Sequence, residues 1–205
     1  MNDLKRTIAD LYIAAVVLAG AACLVAGSFL VNVATLDPLM FVLLLGLAGV
    51  AQRNPIMLFR SSAISMSFAV KVSTYVLFGI GAALWVTLVV AAVNAFTPKP
   101  KPLRKALFNF GQFTVSTAAA GTVYQLAGGS TPPAALPATI VAVAVSAAVY
   151  FLVNSTLNAA VTEPTSEPKF GVHRKQNLSL IPPEYPPTAG QRRAISRPPP
   201  APGVH

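Results

Sequence analysis

Residues 61–96 read SSAISMSFAVKVSTYVLFGIGAALWVTLVVAAVNAF and carry a single charged side chain, Lys71. A helix that crosses a bilayer needs about 20 predominantly apolar residues, so this stretch overruns one span. Glycine tolerates a positive φ, and Gly79 and Gly81 lie near the centre of the stretch. The sequence therefore favours two membrane helices, residues 61–78 and 80–96, joined by a tight turn. One long helix is the alternative.

The composition of the whole chain supports a membrane location. Of the 205 residues, 54% are hydrophobic and 10% are charged, and the mean hydropathy is +0.63. A soluble domain carries about 25% charged residues. This chain has too little polar surface to cover its apolar side chains, so the bilayer is the solvent that fits it.

About six segments are long and apolar enough to cross a membrane. They are residues 8–32, 36–52, 61–78, 80–96, 106–127 and 137–160. The predicted fold class is all-α: a polytopic membrane helical bundle of about six transmembrane helices in residues 1–160. Residues 161–205 hold ten of the eighteen prolines and several arginines, which predicts a cytoplasmic, disordered tail.

The basic residues predict the orientation of these spans. Cytoplasmic loops are rich in Lys and Arg. With the N-terminus inside, fourteen of the fifteen basic residues fall in cytoplasmic segments, and the outer segments 33–36, 79–81 and 128–136 hold none. This distribution predicts a multi-pass protein with both termini in the cytoplasm. It also accounts for the net charge of +9 without a nucleic-acid partner.

A loop between the fourth and fifth predicted spans concentrates positive charge. Its sequence is TPKPKPLRK (residues 97–105), with cations at Lys99, Lys101, Arg104 and Lys105. Cations beside a membrane attract anionic lipids by about 1 kcal/mol each. The loop therefore serves as an orientation signal, and anionic lipids are its expected partners.

Lys71 lies about ten residues into the third predicted span, near the middle of the membrane. A charge at that depth costs about 3 kcal/mol or more, and such residues face a protein interior and often mark function. An unpaired lysine at this depth is either neutral, in contact with water, or bound to an anionic ligand group. The alternative to a functional role is accommodation, in which the long side chain reaches the membrane surface.

Polar residues at helical spacing predict which faces of the spans point inward. The sixth span places Ser146, Tyr150, Asn154 and Asn158 four residues apart, and the fifth places Asn109, Gln112 and Ser116 on one face. Together with Lys71, the residues that form the candidate intramembrane polar site are Asn109, Gln112, Asn154 and Asn158. They serve either as hydrogen-bonding contacts between helices or as the lining of a ligand cavity. In the first span, Ala15, Ala19, Cys23 and Gly27 recur four residues apart, which predicts a packing stripe of small side chains.

The sequence holds no pattern that points to catalysis. No nucleophile–base pair, glycine-rich phosphate loop or metal-ligand cluster is present. We therefore expect no enzyme activity, no cofactor and no metal. The single cysteine, Cys23, excludes an internal disulfide.

Three strings of the chain resemble the N-terminal multi-helix membrane domain of bacterial signalling proteins that carry GGDEF or HD-GYP modules. The strings are SAISMSFAVKVSTYVLFGIGAALWVTLV, RKALFNFGQFTVSTAAAGTVYQLAGG and VYFLVNSTLNAAV. The points of similarity are Ser67-Phe68, the Gly79 turn, Leu107-Phe108-Asn109 with Gln112, Gly128-Gly129 and Tyr150-Phe151-Leu152-Val153-Asn154. The resemblance covers about residues 37–185 and contains packing and turn residues with no catalytic signature.

The resemblance implies a sensory input domain of the bacterial inner (cytoplasmic) membrane whose signal controls cyclic di-GMP synthesis or breakdown. It implies an apolar residue at position 71, so Lys71 departs from it. A homodimer or a separate effector protein is the expected partner.

The resemblance stops after Tyr185, and the remaining residues read PPTAGQRRAISRPPPAPGVH. A frameshift or premature stop that replaced further spans and the output domain is one hypothesis, which makes the chain a truncated sensor. A genuine disordered tail, with proline runs that bind a partner, is the other.

A different function class fits the same composition. A small-solute binding or transport component, similar to the substrate-capturing subunit of an energy-coupling transporter, also needs short spans and an embedded polar set. Transport predicts that Lys71, Asn109, Gln112, Asn154 and Asn158 converge on one cavity. Sensing predicts instead a cytoplasmic connection at the last span.

Overall fold

A computed structural model describes residues 2–34, 36–54, 56–59, 62–64 and 66–162. All of them lie in a unit that spans Met1–Thr165. The predicted disorder of the Pro-rich tail, and the hypothesis of truncation after Tyr185, concern residues that lie outside the described ones.

The described part of the chain is helical apart from one short pair of strands. In chain order the elements are α1 (Asn2–Ser28), α2 (Pro38–Arg53), β1 (Ile56–Phe59), β2 (Ser62–Ile64), α3 (Ser67–Phe96), α4 (Leu103–Leu126) and α5 (Leu136–Thr162). The sequence explains several of these boundaries. The Asp37 side chain caps α2 by accepting from the amides of Leu39 and Met40 at 2.9 and 3.1 Å. Gly128, with φ +87°, follows the end of α4.

Helix α3 reverses direction at Gly79, where the sequence predicts a turn. Gly79 has φ +84° and ψ 174°, a non-helical conformation that favours glycine. Val70 lies in one core cluster with Val86 and Val90, which follow the turn. A straight helix would separate Val70 from Val90 by about 30 Å, so the two halves of α3 fold back on each other.

Strands β1 and β2 replace the start of the third predicted span. They pair antiparallel, with Ile56 opposite Ile64 and Met57 opposite Ala63. Helix α3 begins at Ser67, six residues after the approximate start of 61 that the sequence predicts for the third span. The backbone groups of Ser62–Ile64 pair with a strand earlier in the chain, and the apolar content of one segment does not reveal such a pairing.

Helix α4 is the centre of the bundle, because it packs against α1, α3 and α5. Small side chains allow the close approaches. A Cβ added to Gly111 would lie 2.5 Å from the carbonyl oxygen of Val16, and one added to Gly20 would lie 2.5 Å from the Cα of Gly111. The backbones of α1 and α4 are therefore in direct contact.

The inward face of α1 differs from the predicted one. Its buried residues are Ala9, Val16, Gly20 and Gly27. Of the predicted stripe, Ala15 and Ala19 are exposed and Cys23 is half-buried, so only Gly27 was placed correctly. A strict four-residue step drifts around a helix of 3.6 residues per turn, whereas the contact with the rest of the bundle follows steps of seven and four.

By length and composition, three of the described helices are apolar enough to cross a membrane. They are Arg6–Ser28, Ser67–Phe96 and Leu136–Val161. Pro38–Arg53 is apolar but shorter. Among the described helices, α4 is long enough but is not apolar enough, because it contains Asn, Gln, Ser and Thr side chains. The chain is thus a helical protein with the character of a membrane protein, and the count of six spans stays a prediction.

Candidate functional site

Lys71 lies inside the bundle rather than at its surface. Its side chain is 2% exposed, so the alternative in which it reaches the membrane surface is wrong. Its Nζ donates a hydrogen bond to the Tyr150 hydroxyl and lies 4.4 Å from the centroid of the Tyr150 ring. The Phe113 centroid is 5.3 Å away. Aromatic faces and a hydroxyl therefore surround the amine.

The carboxylates of Asp10 and Asp37 have partners other than Lys71. Asp10 forms a salt bridge with Arg104 at 2.5 Å, and Asp37 caps α2. Phe68 packs on Tyr150 at a centroid distance of 4.6 Å and closes the aromatic surroundings of the amine. The Lys71 amine is thus held by a hydroxyl and by aromatic rings.

Two further polar contacts lie one helical turn on either side of Tyr150. On one side, the hydroxyls of Tyr75 and Ser146 are 2.7 Å apart. On the other, Gln112 Nε2 donates to the Oδ1 and the backbone oxygen of Asn154 at 2.7 and 3.0 Å. Together with the Lys71–Tyr150 pair, these residues form what we call the polar column. Ser146, Tyr150 and Asn154 follow one another at four-residue steps along α5, so the column holds α5 to α3 and α4.

One buried hydroxyl of α4 is left without a hydrogen bond in this region. Helices α4 and α5 run antiparallel, and the Gln112–Asn154 contact sets their register. Ser116 follows Gln112 by one turn and is therefore level with Tyr150. Within the described residues its Oγ is buried and has no partner. An unpaired buried hydroxyl carries a desolvation cost of about 1–3 kcal/mol, so one unsatisfied polar group lies beside the polar column.

The other two residues of the candidate site lie at the end of the bundle that includes the basic loop. Asn109 Nδ2 donates to Asn94 Oδ1 at 2.8 Å. Asn109 and Asn158 also line a cavity of about 420 Å³. The remaining residues that line it are Ala9, Ile13, Pro102, Arg104, Lys105, Phe108 and Val161.

The five predicted site residues therefore occupy two places. Lys71, Gln112 and Asn154 belong to the polar column, whereas Asn109 and Asn158 line the cavity. The sequence signal for the column was the spacing of polar residues along α5. The sequence did not indicate a role for Phe113, because aromatic residues are common in apolar helices.

The basic loop is tied to the bundle by Lys101. Its Nζ donates to Asn94 Oδ1 at 2.7 Å, so Asn94 receives both Lys101 and Asn109. Partial burial lowers the pKa of Lys101, and the neighbouring charge of Lys105 lowers it further. Positive charge is thus crowded at this end of the bundle.

No grouping of His, Cys, Asp and Glu side chains suited to a metal ion occurs in the described ranges. The polar column and the cavity instead offer amides, hydroxyls and amines, which bind organic or anionic groups through hydrogen bonds and charge.

Comparison with known proteins places the chain in a family. No curated protein and no solved structure matches it. The model of MASE9, a family of membrane-associated sensory domains, matches residues 39–179. The match includes all of α2 but its first residue, α3 to α5 and the whole polar column. The chain belongs to the MASE9 family.

Proposed function

We propose that this chain is an integral membrane sensory module in which the polar column controls the position of α5. The observation that carries the proposal is the buried Lys71–Tyr150 contact, which links α3 to the last described helix. A stimulus that weakens this contact releases α5 from α3 and α4. Because the chain continues from α5 towards its C-terminus, movement of α5 reaches whatever follows or binds there.

The output of the module, as we propose it, is cyclic di-GMP signalling through a GGDEF or HD-GYP module, which the resemblance of residues 37–185 implies. A separate effector protein or a homodimer provides the same connection. The transport alternative is less well supported, because it needs the five site residues on one cavity and they lie in two places.

The proposed topology has six spans, with both termini in the cytoplasm of a bacterial inner membrane. The reversal at Gly79 supports it, because the two halves of α3 then run antiparallel, as the third and fourth spans require. The basic loop 97–105 lies on the cytoplasmic side and the loop 127–135 on the outer side. Fourteen of the fifteen basic residues then fall on the cytoplasmic side, as the charge rule requires.

Accessibility of single cysteines tests this topology. In a Cys23→Ser background, we expect Thr131→Cys to react with a membrane-impermeant maleimide on intact cells. Lys99→Cys should react only after the membrane is permeabilised, because it lies on the opposite side. The measurement is gel-shift labelling of each variant before and after permeabilisation. Equal labelling of both positions in intact cells would contradict the proposed topology.

Sensory output is tested by fusing a GGDEF domain to the C-terminus of the full chain and measuring cellular cyclic di-GMP. We expect Tyr150→Phe to change the level about fivefold, because a lost hydrogen bond of about 1 kcal/mol shifts a two-state equilibrium by that factor.

The matched control for this measurement is Leu152→Val. It lies on the same helix, and its side chain is 66% exposed on the outside of the bundle. It should leave the cyclic di-GMP level unchanged. If both variants match the unmodified fusion at equal protein amounts, the polar column does not control output and the proposal fails.

A further inference from the structure

The cavity at the end of α1, α4 and α5 has two kinds of wall. One part is apolar and consists of Ala9, Ile13, Phe108 and Val161. The other part is polar: Arg104 and Lys105 contribute positive charge, and Asn109 and Asn158 contribute amides. A volume of about 420 Å³ falls within the range of about 300–1,000 Å³ that is usual for small-molecule sites.

The side chains around this cavity carry an excess of positive charge. Asp10 pairs with Arg104 at 2.5 Å and offsets one cation. Lys105 remains at the wall. Lys101 is near enough to Lys105 for the charge of Lys105 to lower the pKa of Lys101. The aligned peptide dipoles of α4 add positive potential, because this end is the N-terminus of the helix. An anion bound here would relieve the repulsion among the cations.

The apolar wall limits what kind of anion fits. A free phosphate gains nothing from Ile13, Phe108 and Val161, whereas an acyl or glycerol portion buries apolar area against them. A ligand with a negative head and an apolar body uses both parts of the cavity. In a bilayer, anionic phospholipid is the abundant molecule with this design, and its headgroup lies at the depth of a juxtamembrane loop.

We propose that this cavity is a binding site for one anionic phospholipid. Lys105 and Arg104 bind its phosphate, Asn109 and Asn158 accept or donate hydrogen bonds to its headgroup, and the apolar wall holds the start of its acyl chains. The site is distinct from the polar column and does not depend on a sensory role for the chain.

Binding by the purified full chain tests the proposal. The chain in detergent is titrated with phosphatidylglycerol, with phosphatidylcholine of the same acyl chains and with inorganic phosphate. Native mass spectrometry counts the bound molecules and thermal unfolding reports the affinity. We expect one phosphatidylglycerol to bind at least tenfold more tightly than phosphatidylcholine, with no displacement by millimolar phosphate.

Variants of two lysines in the same loop distinguish binding at a specific site from general electrostatic attraction to the surface. Lys105→Gln should weaken phosphatidylglycerol binding about tenfold, the loss expected for one charge-assisted hydrogen bond from a side chain that lines the cavity to the lipid phosphate. Lys99→Gln removes the same charge but does not line the cavity, and it should change the affinity less than twofold. Ala9→Leu places a larger side chain in the apolar wall and should abolish the bound lipid.

Three results would overturn the proposal. Equal effects of Lys105→Gln and Lys99→Gln would mean diffuse electrostatic attraction. Equal binding of the two lipids would mean that the headgroup charge is not recognised. Displacement of the lipid by inorganic phosphate would assign the cavity to a soluble anion. If Ala9→Leu fails to fold, the comparison of the two lysines still decides.

Discussion

Gly111→Ala is expected to lower the free energy of unfolding by about 3 kcal/mol, because overpacking against rigid neighbours costs that much. The added Cβ would lie 2.5 Å from the Val16 carbonyl oxygen and 2.9 Å from the Cα of Val17. Both atoms belong to the backbone of α1, so the clash is relieved only if α1 and α4 move apart. The measurement is reversible unfolding of the purified chain in mixed micelles, followed by circular dichroism.

Gly46→Ala is the matched control for this prediction. Gly46 also lies inside a helix, α2, but nothing lies within 4 Å of the Cβ that would be added. Alanine has the higher helix propensity, so this substitution should stabilise the chain by about 0.5–1 kcal/mol. If both substitutions have the same effect, the close approach of α1 and α4 does not contribute to stability.

Lys71→Met is expected to stabilise the protein and to abolish its sensory response, which is read as the cyclic di-GMP output of the GGDEF fusion. Methionine has a similar length and carries no charge, so the cost of about 3 kcal/mol for a charge at this depth is removed. The lost hydrogen bond to Tyr150 offsets about 1 kcal/mol, which leaves a gain of about 2 kcal/mol. The same unfolding measurement gives the stability, and the fusion with a GGDEF domain gives the output.

The double variant Lys71→Met with Tyr150→Phe isolates the lysine from its partner. It removes the hydroxyl that Lys71→Met leaves unpaired, so it should be about 1 kcal/mol more stable than Lys71→Met alone. A loss of stability in Lys71→Met would make Lys71 a structural contact. A gain of stability with unchanged cyclic di-GMP would show that the lysine is tolerated and has no part in signalling.

Local features of the sequence predicted much of the architecture. The turn at Gly79 was predictable, because the stretch around it is too long for one span and two glycines mark its centre. The α5 contacts followed from polar residues at four-residue steps, which share one face of a helix. In both places, the signal and the structure involve the same short segment.

Features that depend on partners distant in the chain were not predictable. The buried face of α1 includes Gly20 because Gly111 of α4 packs against it. The sequence of α1 alone contains several stripes of small residues and does not show which one is buried. Strand β2 needs β1 as a partner. The pairing of Asn109 with Asn94, which also receives Lys101 of the basic loop, joins residues 15 positions apart in the chain, and no local pattern indicates it.

The central position of α4 has a consequence for how the protein is made. Under the proposed topology, the ribosome synthesises α1, α2 and both halves of α3 before α4. The side chains that α4 later covers are therefore exposed to lipid until α4 is inserted. Helix α4 is less apolar than its neighbours, so insertion of the isolated segment is expected to be inefficient. Its entry into the membrane therefore depends on helices that are already inserted. Assembly of the bundle is then completed late and in a concerted way, rather than by a series of independent insertions.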